Sequence, residues 1–173
     1  CNAPSRMLVQ KGIYDQVVAE AAAIADKVTV GPASEEGRHI GPVVNEVQWN
    51  KIQGMIEVGS AEGAKLVAGG PGRPEGLNRG FYVKPTVFAD VNNQMVIAQQ
   101  EIFGPVLAII PFETEEEAVE IANDTPSGLT NYVQTQDMAP ANRLATLPPS
   151  CMVRINGTSR AVGPTIRGID LAG

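Results

Sequence analysis

The chain has 173 residues, of which 43% are apolar, and 13 basic against 19 acidic side chains give it a net charge of −6. This length suits one domain that buries its own core, and the composition excludes disordered and collagen-like proteins. The basic residues are scattered along the sequence, so we expect neither nucleic acid nor an anionic membrane surface as a partner.

Two cysteines and one histidine limit the chemistry available to the protein. Cys1 and Cys151 are too few for a disulfide framework, and the single His39 leaves no spacing typical of zinc sites, so we expect no bound metal. The longest apolar run, Val106–Phe112, is far shorter than the roughly 20 residues that cross a bilayer. Since no secretion signal is evident either, we expect a cytoplasmic protein.

Apolar spacing predicts two helices in the first third of the chain. Apolar residues recur at intervals of three and four over residues 13–28, and the alanines in the middle favour a helix. After a polar loop, Asn45 is suited to cap a second helix with apolar residues on one face. That helix should end at Gly59 or Gly63.

The middle of the chain is predicted to hold a short strand, a long loop and an edge segment. Residues 64–68 have the pattern of a strand, and five glycines with two prolines predict a loop over residues 69–80. Residues 81–89 are interrupted by Pro85, which has no N–H to donate. We therefore expect one or two strands there, at the edge of a sheet.

Strands and helices alternate in the second half of the chain. The nearly unbroken apolar run at residues 106–112 indicates a strand buried on both faces. Short connections between alternating elements predict an α/β fold, with a mostly parallel sheet and helices on both faces. The elements predicted after that strand are a helix at 115–123 opened by a Thr114 and Glu117 capping box, a strand at 129–134, a helix at 137–147 capped by Asp137, and a strand at 152–155.

The usual cofactor and hydrolase motifs are absent or weak. Neither the Gly-x-Gly-x-x-Gly of a Rossmann unit nor a P-loop occurs. A Ser-His-Asp site would need His39, which lies among polar loop residues and is interpreted as an ordinary solvated histidine. A cluster of carboxylates is interpreted as a solvated helix start, where negative charge faces the helix dipole favourably, and not as a metal site. It consists of Glu113, Glu115, Glu116, Glu117 and Glu120.

The two cysteines differ in their sequence surroundings. Cys151 begins an apolar, strand-like segment, which is typical of an inert buried thiol. Cys1 is followed by a polar segment that includes Arg6, and a thiolate nucleophile needs an accessible, electropositive setting. These surroundings leave two interpretations of Cys1 open: a catalytic nucleophile, or a terminal residue without a role.

Motifs in chain order over residues 1–162 resemble the aldehyde dehydrogenase family. The first begins at the position of the family's nucleophilic cysteine, and the most diagnostic contains Glu101 and Phe103. The motifs are Cys1-Asn2-Ala3-Pro4-Ser5-Arg6; Gly41-Pro42-Val43 with Gln48, Lys51-Ile52 and Gly63-Ala64-Lys65; Gly80-Phe81-Tyr82-Val83-Lys84-Pro85-Thr86-Val87-Phe88; Glu101-Ile102-Phe103-Gly104-Pro105-Val106; and Asn123-Asp124-Thr125-Pro126 with Gly128-Leu129 and Ile155-Asn156-Gly157.

This resemblance implies roles for individual residues. The Cys1 thiolate would attack an aldehyde to give a thiohemiacetal, hydride would pass to NAD or NADP, and the thioester would be hydrolysed to a carboxylic acid. Sulfur suits both steps because it is a strong nucleophile and a good leaving group. Glu101 would accept hydrogen bonds from the nicotinamide ribose, and Phe103 would pack near the nicotinamide ring. Asn156 should terminate a strand near the same cleft.

The resemblance also sets expectations for domain organisation. Residues 1–162 would correspond to the catalytic domain, and residues 163–173 to an atypical tail that lacks the expected Pro-Phe-Gly-Gly-x-Lys pattern. The family's cofactor domain, glutamate general base and oxyanion-hole asparagine precede the nucleophile, so we expect a fragment that is inactive in isolation. The parent protein should be a homo-oligomer acting on a small aldehyde that the sequence does not identify.

Two further classes of function stay open at this point. One is a non-catalytic binding or assembly module that keeps the catalytic-domain fold but has lost the cofactor domain. A partner-free monomer that no ligand stabilises in a thermal-shift screen would count against it. The other is an amino-terminal nucleophile hydrolase, in which the α-amine of Cys1 acts as the base for its own thiol. Any residue before Cys1 in the intact protein would exclude that second class.

Overall fold

A computed structural model describes residues 4–37, 39–135, 152–156 and 166–168. The described residues form two compact units: the first is Ser5–Glu113, and the second contains Pro4 and the residues from Thr114 onward. The strands are β1 Arg6–Gln10, β2 Thr29–Val30, β3 His39–Ile40, β4 Lys65–Ala68, β5 Thr86–Ala89, β6 Val106–Phe112, β7 Thr130–Val133, β8 Met152–Ile155 and β9 Ile166–Gly168. The α-helices are α1 Tyr14–Lys27, α2 Glu46–Ala61, α3 Val96–Gln99 and α4 Glu115–Asn123, and a 3-10 turn at Lys11–Ile13 precedes α1.

The first unit is built on a four-stranded sheet in the order β1-β6-β5-β4. Strand β6 pairs in parallel with β1 on one side and with β5 on the other, while β4 runs antiparallel to β5. The short strands β2 and β3 pair in parallel outside this sheet. The prediction of a mostly parallel α/β sheet is therefore confirmed.

Helix α1 covers one face of the four-stranded sheet. Val9, Val87 and Ile109 are buried on this face, together with Tyr14 at the start of the helix. Alanines and valines of α1 allow the helix to approach closely because their side chains are small, and the Tyr14 hydroxyl accepts a 2.6 Å hydrogen bond from the Asp90 N–H. The helical residues packed here are Val17, Val18, Ala21, Ala22 and Ala25.

Helix α2 covers the opposite face of the sheet. Side chains alternate along a strand, so Phe88 points away from the face that carries Val87, and its ring lies beside Gly59 of α2. A Cβ at Gly59 would lie 2.9 Å from Ile97 Cδ1 and 3.4 Å from Phe88 Cζ. Glycine is therefore needed where α2 contacts both α3 and the sheet, and the prediction of helices on both faces is confirmed.

Strand β5 is interior, so the prediction that residues 81–89 form edge segments is wrong. All four residues of Thr86–Ala89 are buried, between β4 and β6. Pro85 does not disturb this position because it precedes the strand, and the first ladder hydrogen bond runs from the Thr86 N–H to the Pro105 carbonyl at 2.8 Å. Residues 81–85 themselves form no strand.

The second unit contains α4 and a three-stranded sheet in the order β7-β8-β9. Strands β7 and β8 are parallel, and β9 runs antiparallel to β8. The Thr114 hydroxyl accepts the Glu117 N–H at 3.2 Å, which confirms the predicted start of α4. The helix predicted at 137–147 lies outside the described residues. No helix in the described part of the chain is long and apolar enough to span a membrane.

Candidate active site

The segment that joins α3 to β6 carries two of the predicted site residues. Glu101 is exposed, Ile102 is 1% exposed and Phe103 is 65% exposed, so a buried side chain separates two that face solvent. Phe103 has a φ of 60°, in the left-handed region that residues other than glycine adopt only at some cost. The segment therefore presents a carboxylate and an aromatic ring from a fixed turn.

Helix α2 holds this turn through hydrogen bonds to three consecutive carbonyls. The Gln48 amide Nε2 donates to the carbonyl of Ile102 at 3.0 Å and to that of Phe103 at 3.1 Å. The Lys51 ammonium donates to the Glu101 carbonyl at 2.8 Å. Residues three apart lie on the same side of a helix, so both donors reach the turn together.

An apolar contact supports the same turn. A Cβ added at Gly104 would lie 2.5 Å from Ile52 Cδ1 and 2.9 Å from its Cγ1. Ile52 is fully buried, so its side chain has no free space into which to move. Because Gly104 has no Cβ, the backbone of the turn can pack directly against Ile52 of α2.

Trp49 joins α2 to the glycine-rich loop that follows β4. Its indole Nε1 donates to the Tyr82 carbonyl at 2.8 Å, and the Arg73 guanidinium lies 4.5 Å from the ring centroid. Arg73 in turn donates from Nε to the Gly80 carbonyl at 2.9 Å. The indole hydrogen bond and the cation–π interaction together attach the loop to α2.

Asn156 ends strand β8, as predicted. It has a φ of 48°, and its N–H donates to the Val133 carbonyl at 2.8 Å. Its side-chain Oδ1 accepts the Thr135 N–H at 2.9 Å. Asn156 thus joins the ends of β7 and β8, and the left-handed conformation is one that asparagine tolerates better than most residues.

His39 lies in strand β3 and not in a loop. It is half-buried, its Nε2 lies 2.9 Å from the Pro32 carbonyl, and its ring packs against Gly31 and Gly37. Parallel pairing with β2 places it there, although the surrounding residues are polar. This hydrogen bond and packing indicate that His39 shapes the β2–β3 connection.

Two other sequence predictions have different outcomes. The acidic residues Glu115, Glu116 and Glu117 form the first turn of α4, where carboxylates are favourable, as predicted. Cys1 and Cys151 lie outside the described residues. The roles assigned to the two cysteines therefore stay predictions.

The turn is chemically suited to a ligand with hydroxyl groups and a planar ring. An exposed carboxylate accepts hydrogen bonds from hydroxyls, and an exposed aromatic face supports a flat ring. Sequence reasoning named Glu101 and Phe103 but gave no role to Gln48 and Lys51. The usable signal was the spacing of three residues from Asn45 to Gln48 and again from Gln48 to Lys51, which places Gln48 and Lys51 on one face of the helix that Asn45 caps.

Comparison with known proteins identifies the family. The model described as "Aldehyde dehydrogenase family" matches residues 1–168. The chain belongs to this family. The helices and parallel strands described above therefore form part of an aldehyde dehydrogenase fold. The motif that contains Glu101 and Phe103 lies within the matched region.

Individual aldehyde dehydrogenases agree with this assignment. A 3-succinoylsemialdehyde-pyridine dehydrogenase from a Pseudomonas species is 44% identical over 159 residues, covering 92% of this chain and 33% of that protein. The crystal structure of an aldehyde dehydrogenase from Bartonella henselae has a TM-score of 0.89 and 55% identity, over 91% of this chain and 33% of that one. A mutant of Aldehyde Dehydrogenase C from Pseudomonas syringae, complexed with NAD+ and octanal, has a TM-score of 0.88 and 46% identity over 91% and 32%. The chain therefore spans about a third of the length of these relatives.

Proposed function

We propose that this chain contributes the nucleophile and part of the cofactor site to an NAD(P)-dependent aldehyde dehydrogenase. The observation that carries the proposal is the turn at Glu101–Phe103, which presents a carboxylate and an aromatic ring on either side of a buried isoleucine. Family membership supplies the reaction class, and the turn supplies the chemistry for binding a nicotinamide nucleotide. The proposed function is that of the whole protein, because the relatives are about three times as long as this chain.

In the proposed site, Glu101 and Phe103 bind and orient the cofactor. Glu101 accepts hydrogen bonds from the ribose hydroxyls, because a carboxylate offers acceptors only. Phe103 packs its exposed ring near the nicotinamide, and its left-handed backbone fixes the direction of that ring. A nicotinamide nucleotide held by these two residues would supply the hydride acceptor of the reaction.

Cys1 performs the covalent steps of the proposal. Its thiolate sulfur forms a bond to the aldehyde carbon and gives a thiohemiacetal on Cys1. Loss of hydride from that carbon, for which a bound nicotinamide would be the acceptor, would leave a thioester. The resulting thioester is hydrolysed by water, which breaks the carbon–sulfur bond and releases a carboxylic acid and the thiol. One aldehyde is oxidised by two electrons while one nicotinamide is reduced, so the steps balance.

The substrate class is proposed from the relatives. The Pseudomonas syringae structure contains octanal with NAD+, and the Pseudomonas relative is named for a semialdehyde. Both names refer to aldehydes, whose carbonyl carbon is the electrophile that a thiolate attacks. We therefore propose an aldehyde as substrate and NAD or NADP as the electron acceptor.

The test is a calorimetric titration of NAD and NADP into the complete gene product, followed by an assay of NAD(P)H formation with a panel of aldehydes. We expect saturable binding of one cofactor, loss of turnover with retained binding in Cys1→Ala, and weaker binding in Glu101→Gln. Glu57→Gln, which changes an exposed carboxylate of α2 in the same way, is the matched control and should bind like the wild type.

Three outcomes of these measurements would contradict the proposed function or the role of a residue in it. If the complete protein reduces neither cofactor with any aldehyde, the dehydrogenase proposal is wrong and the alternative of a non-catalytic module gains support. If turnover survives in Cys1→Ala, the nucleophile has been assigned to the wrong residue. If Glu101→Gln binds cofactor with wild-type affinity, the turn does not contact the ribose.

A further inference from the structure

The glycine-rich loop and the residues that lead from it to β5 are positively charged in an otherwise acidic chain. Over residues 69–84 the charged side chains are one carboxylate, Glu75, and three cations, Arg73, Arg79 and Lys84. This segment therefore has a net charge of +2, whereas the whole chain has −6 and the other residues together carry −8. An anion that approaches the chain is attracted to this segment and repelled by the chain as a whole.

The guanidinium of Arg73 is held in one orientation. Its Cζ lies 4.5 Å from the centroid of the Trp49 ring, so one face of the group is stacked on the indole. Its Nε donates to the Gly80 carbonyl at 2.9 Å. The two terminal amino groups have no hydrogen-bond partner among the described residues, and none of the described carboxylates forms an ion pair with Arg73. An oriented pair of donors is thus left for a ligand.

The backbone that carries Arg73 is fixed as well. The Gly72 N–H donates to the buried Gln53 side chain, with 2.6 Å between N and Oε1. Gly72 has a φ of 86°, which glycine adopts without strain. Arg73 is therefore held at its backbone, at its Nε and at one face, and a side chain held in this way loses little conformational freedom when it binds a ligand.

Lys84 adds a second positive charge beside the residue that precedes Arg73. Its Nζ donates to the Pro71 carbonyl at 2.8 Å, and a Cβ at Gly72 would lie 3.9 Å from the same Nζ. An ammonium group has three N–H donors, so two remain after the bond to Pro71. Within the described part of the chain, these two donors have no partner.

We propose that Arg73 and Lys84 form a binding site for a phosphate group. A guanidinium donates to two oxygens of a phosphate at once, and an ammonium supplies a point charge for a third oxygen. A carboxylate has only two oxygens and one negative charge, so it uses less of this donor set. Inorganic phosphate and a phosphate monoester share the required chemistry. The inference does not depend on the proposed function, because neither Glu101 nor Phe103 takes part in it.

The experiment measures how far a phosphate protects Arg73 from phenylglyoxal, a reagent that modifies guanidinium groups. The complete gene product is treated without cofactor and at constant ionic strength, while chloride is replaced by inorganic phosphate, glycerol phosphate or acetate. Mass spectrometry gives the modification rate of each arginine. Arg79, which is exposed on the same loop, is the internal control.

Three variants test the parts of the site. Trp49→Leu removes the ring on which Arg73 is stacked, and Trp49→Phe keeps an aromatic face while it removes the indole donor, so it is the matched control. Lys84→Gln removes the charge but keeps a donor for the Pro71 carbonyl.

At pH 8, where a phosphate carries about two negative charges, we expect half protection of Arg73 at a concentration on the order of 1 mM. Ten times that concentration should slow its modification about tenfold, whereas Arg79 should change by less than about twofold. Trp49→Leu should raise the concentration for half protection about tenfold, and Trp49→Phe by less than about threefold. Lys84→Gln should raise it roughly threefold.

The choice of anion identifies the ligand class. Acetate should protect Arg73 at least about tenfold more weakly than inorganic phosphate, since it has one charge and two oxygens. Inorganic phosphate and glycerol phosphate should both protect, and the one with the lower concentration for half protection identifies the source of the phosphate group.

Three results would overturn the inference. Equal protection of Arg73 and Arg79 would show that the anion only screens the charge of the loop. Equal protection by acetate and phosphate would show that the site is not selective for phosphate. Unchanged protection in both Trp49→Leu and Lys84→Gln would show that neither the stacking nor the second cation forms the site. If Trp49→Leu lowers the midpoint of thermal unfolding, the comparison of Arg73 with Arg79 in the wild type and the result for Lys84→Gln still test the proposal.

Discussion

The two helices that cover the four-stranded sheet pack in different ways. Helix α1 lies on its face through small apolar side chains, and its start at Ile13 has no side-chain cap. Helix α2 has Asn45 as a cap and buries Ile52, Met55 and Ile56, and it also extends polar side chains beyond the sheet to the turn before β6. One helix completes the core, and the other connects the core to the candidate site.

This difference shows how the same sheet serves stability and ligand binding. Close packing on both faces makes the strands rigid, but on the α2 side that rigidity continues into the turn through directed hydrogen bonds. A change on the α1 side should alter stability alone. A change on the α2 side should alter stability and the geometry of Glu101 and Phe103 together.

The largest effect is expected from Phe88→Ala on the α2 face. Phe88 is fully buried against Gly59, so the truncation leaves a cavity and should cost about 3–5 kcal/mol in the free energy of unfolding. Urea unfolding measures this cost. Ile109→Ala on the α1 face, also fully buried, should cost about 2–5 kcal/mol without affecting cofactor binding. Loss of cofactor affinity in Ile109→Ala would contradict the division between the two faces.

Gly104→Ala should have the next largest effect, and it acts where α2 meets the turn. Its new Cβ would overlap buried Ile52, at an expected cost of about 1–3 kcal/mol and with weaker cofactor binding. Gly54→Ala is the matched control, because a Cβ at Gly54 of α2 meets nothing within 4 Å. That control should stabilise the protein by about 0.5–1 kcal/mol. Equal changes in the free energy of unfolding and in cofactor affinity for the two alanine variants would show that the turn does not pack closely against α2.

On the α1 face, Tyr14→Phe should cost about 1–2 kcal/mol, because the Asp90 N–H loses its acceptor. The effect should depend on pH. Burial disfavours the charged phenolate and raises the pKa of Tyr14 above its ordinary value of 10.0, whereas the hydrogen bond from the Asp90 N–H opposes this shift. The stability contributed by the buried neutral phenol is therefore complete below about pH 10 and is lost as the pH rises through the raised pKa. Urea unfolding at pH 8 and pH 11 measures both effects. Half-buried Tyr82→Phe is the control, and an equal loss there would contradict the assignment to Asp90.

Asn45→Ala should cost about 1 kcal/mol by removing the cap of α2. Because Gln48 lies in the first turn of this helix, fraying should also raise the chymotryptic cleavage after Phe103. Asn45→Asp should keep both the stability and the cleavage rate, and Asn50→Ala on the exposed surface of α2 should leave the cleavage rate unchanged. A wild-type cleavage rate in Asn45→Ala would mean that Gln48 is held without its cap.

The smallest effect is expected for Glu113→Gln at the end of β6. Lys11 bonds the Glu113 carboxylate and lowers its pKa below the ordinary 4.5, but both side chains are largely exposed. A lowered pKa contributes stability above about pH 4.5, and that contribution is lost as the pH falls through the lowered value. Thermal unfolding at pH 7 and pH 3 should therefore show a slightly smaller acid destabilisation in the variant, with Glu57→Gln as control. A large change at pH 7 would contradict this.

Local patterns predicted the elements that depend on local chemistry. The Asn45 and Thr114 caps, the apolar spacing of α1 and the apolar run of β6 were all recognisable, because each depends on residues within a few positions of one another. The helix boundaries observed for α1 differ from the prediction by one residue at each end. Motifs in order also identified the family correctly.

Features that depend on distant pairing were not predictable in this way. The interior position of β5 results from pairing with β6, about 20 residues away, and Pro85 by itself suggested an edge. His39 was placed in a loop because its partner strand β2 is too short to show a pattern. The hydrogen bonds from Gln48 to the turn join residues 54 and 55 positions apart. No local rule of spacing contains such contacts.

The position of Trp49 makes this region optically visible. Trp49 is the sole tryptophan of these 173 residues, and it lies on α2 beside Gln48, with its indole bonded to Tyr82 and covered by Arg73. The tryptophan fluorescence of this chain is therefore the emission of a single ring at the junction of α2 and the glycine-rich loop. Detachment of that loop would expose the indole to water and shift its emission to the red, so an unlabelled sample reports on this junction by itself.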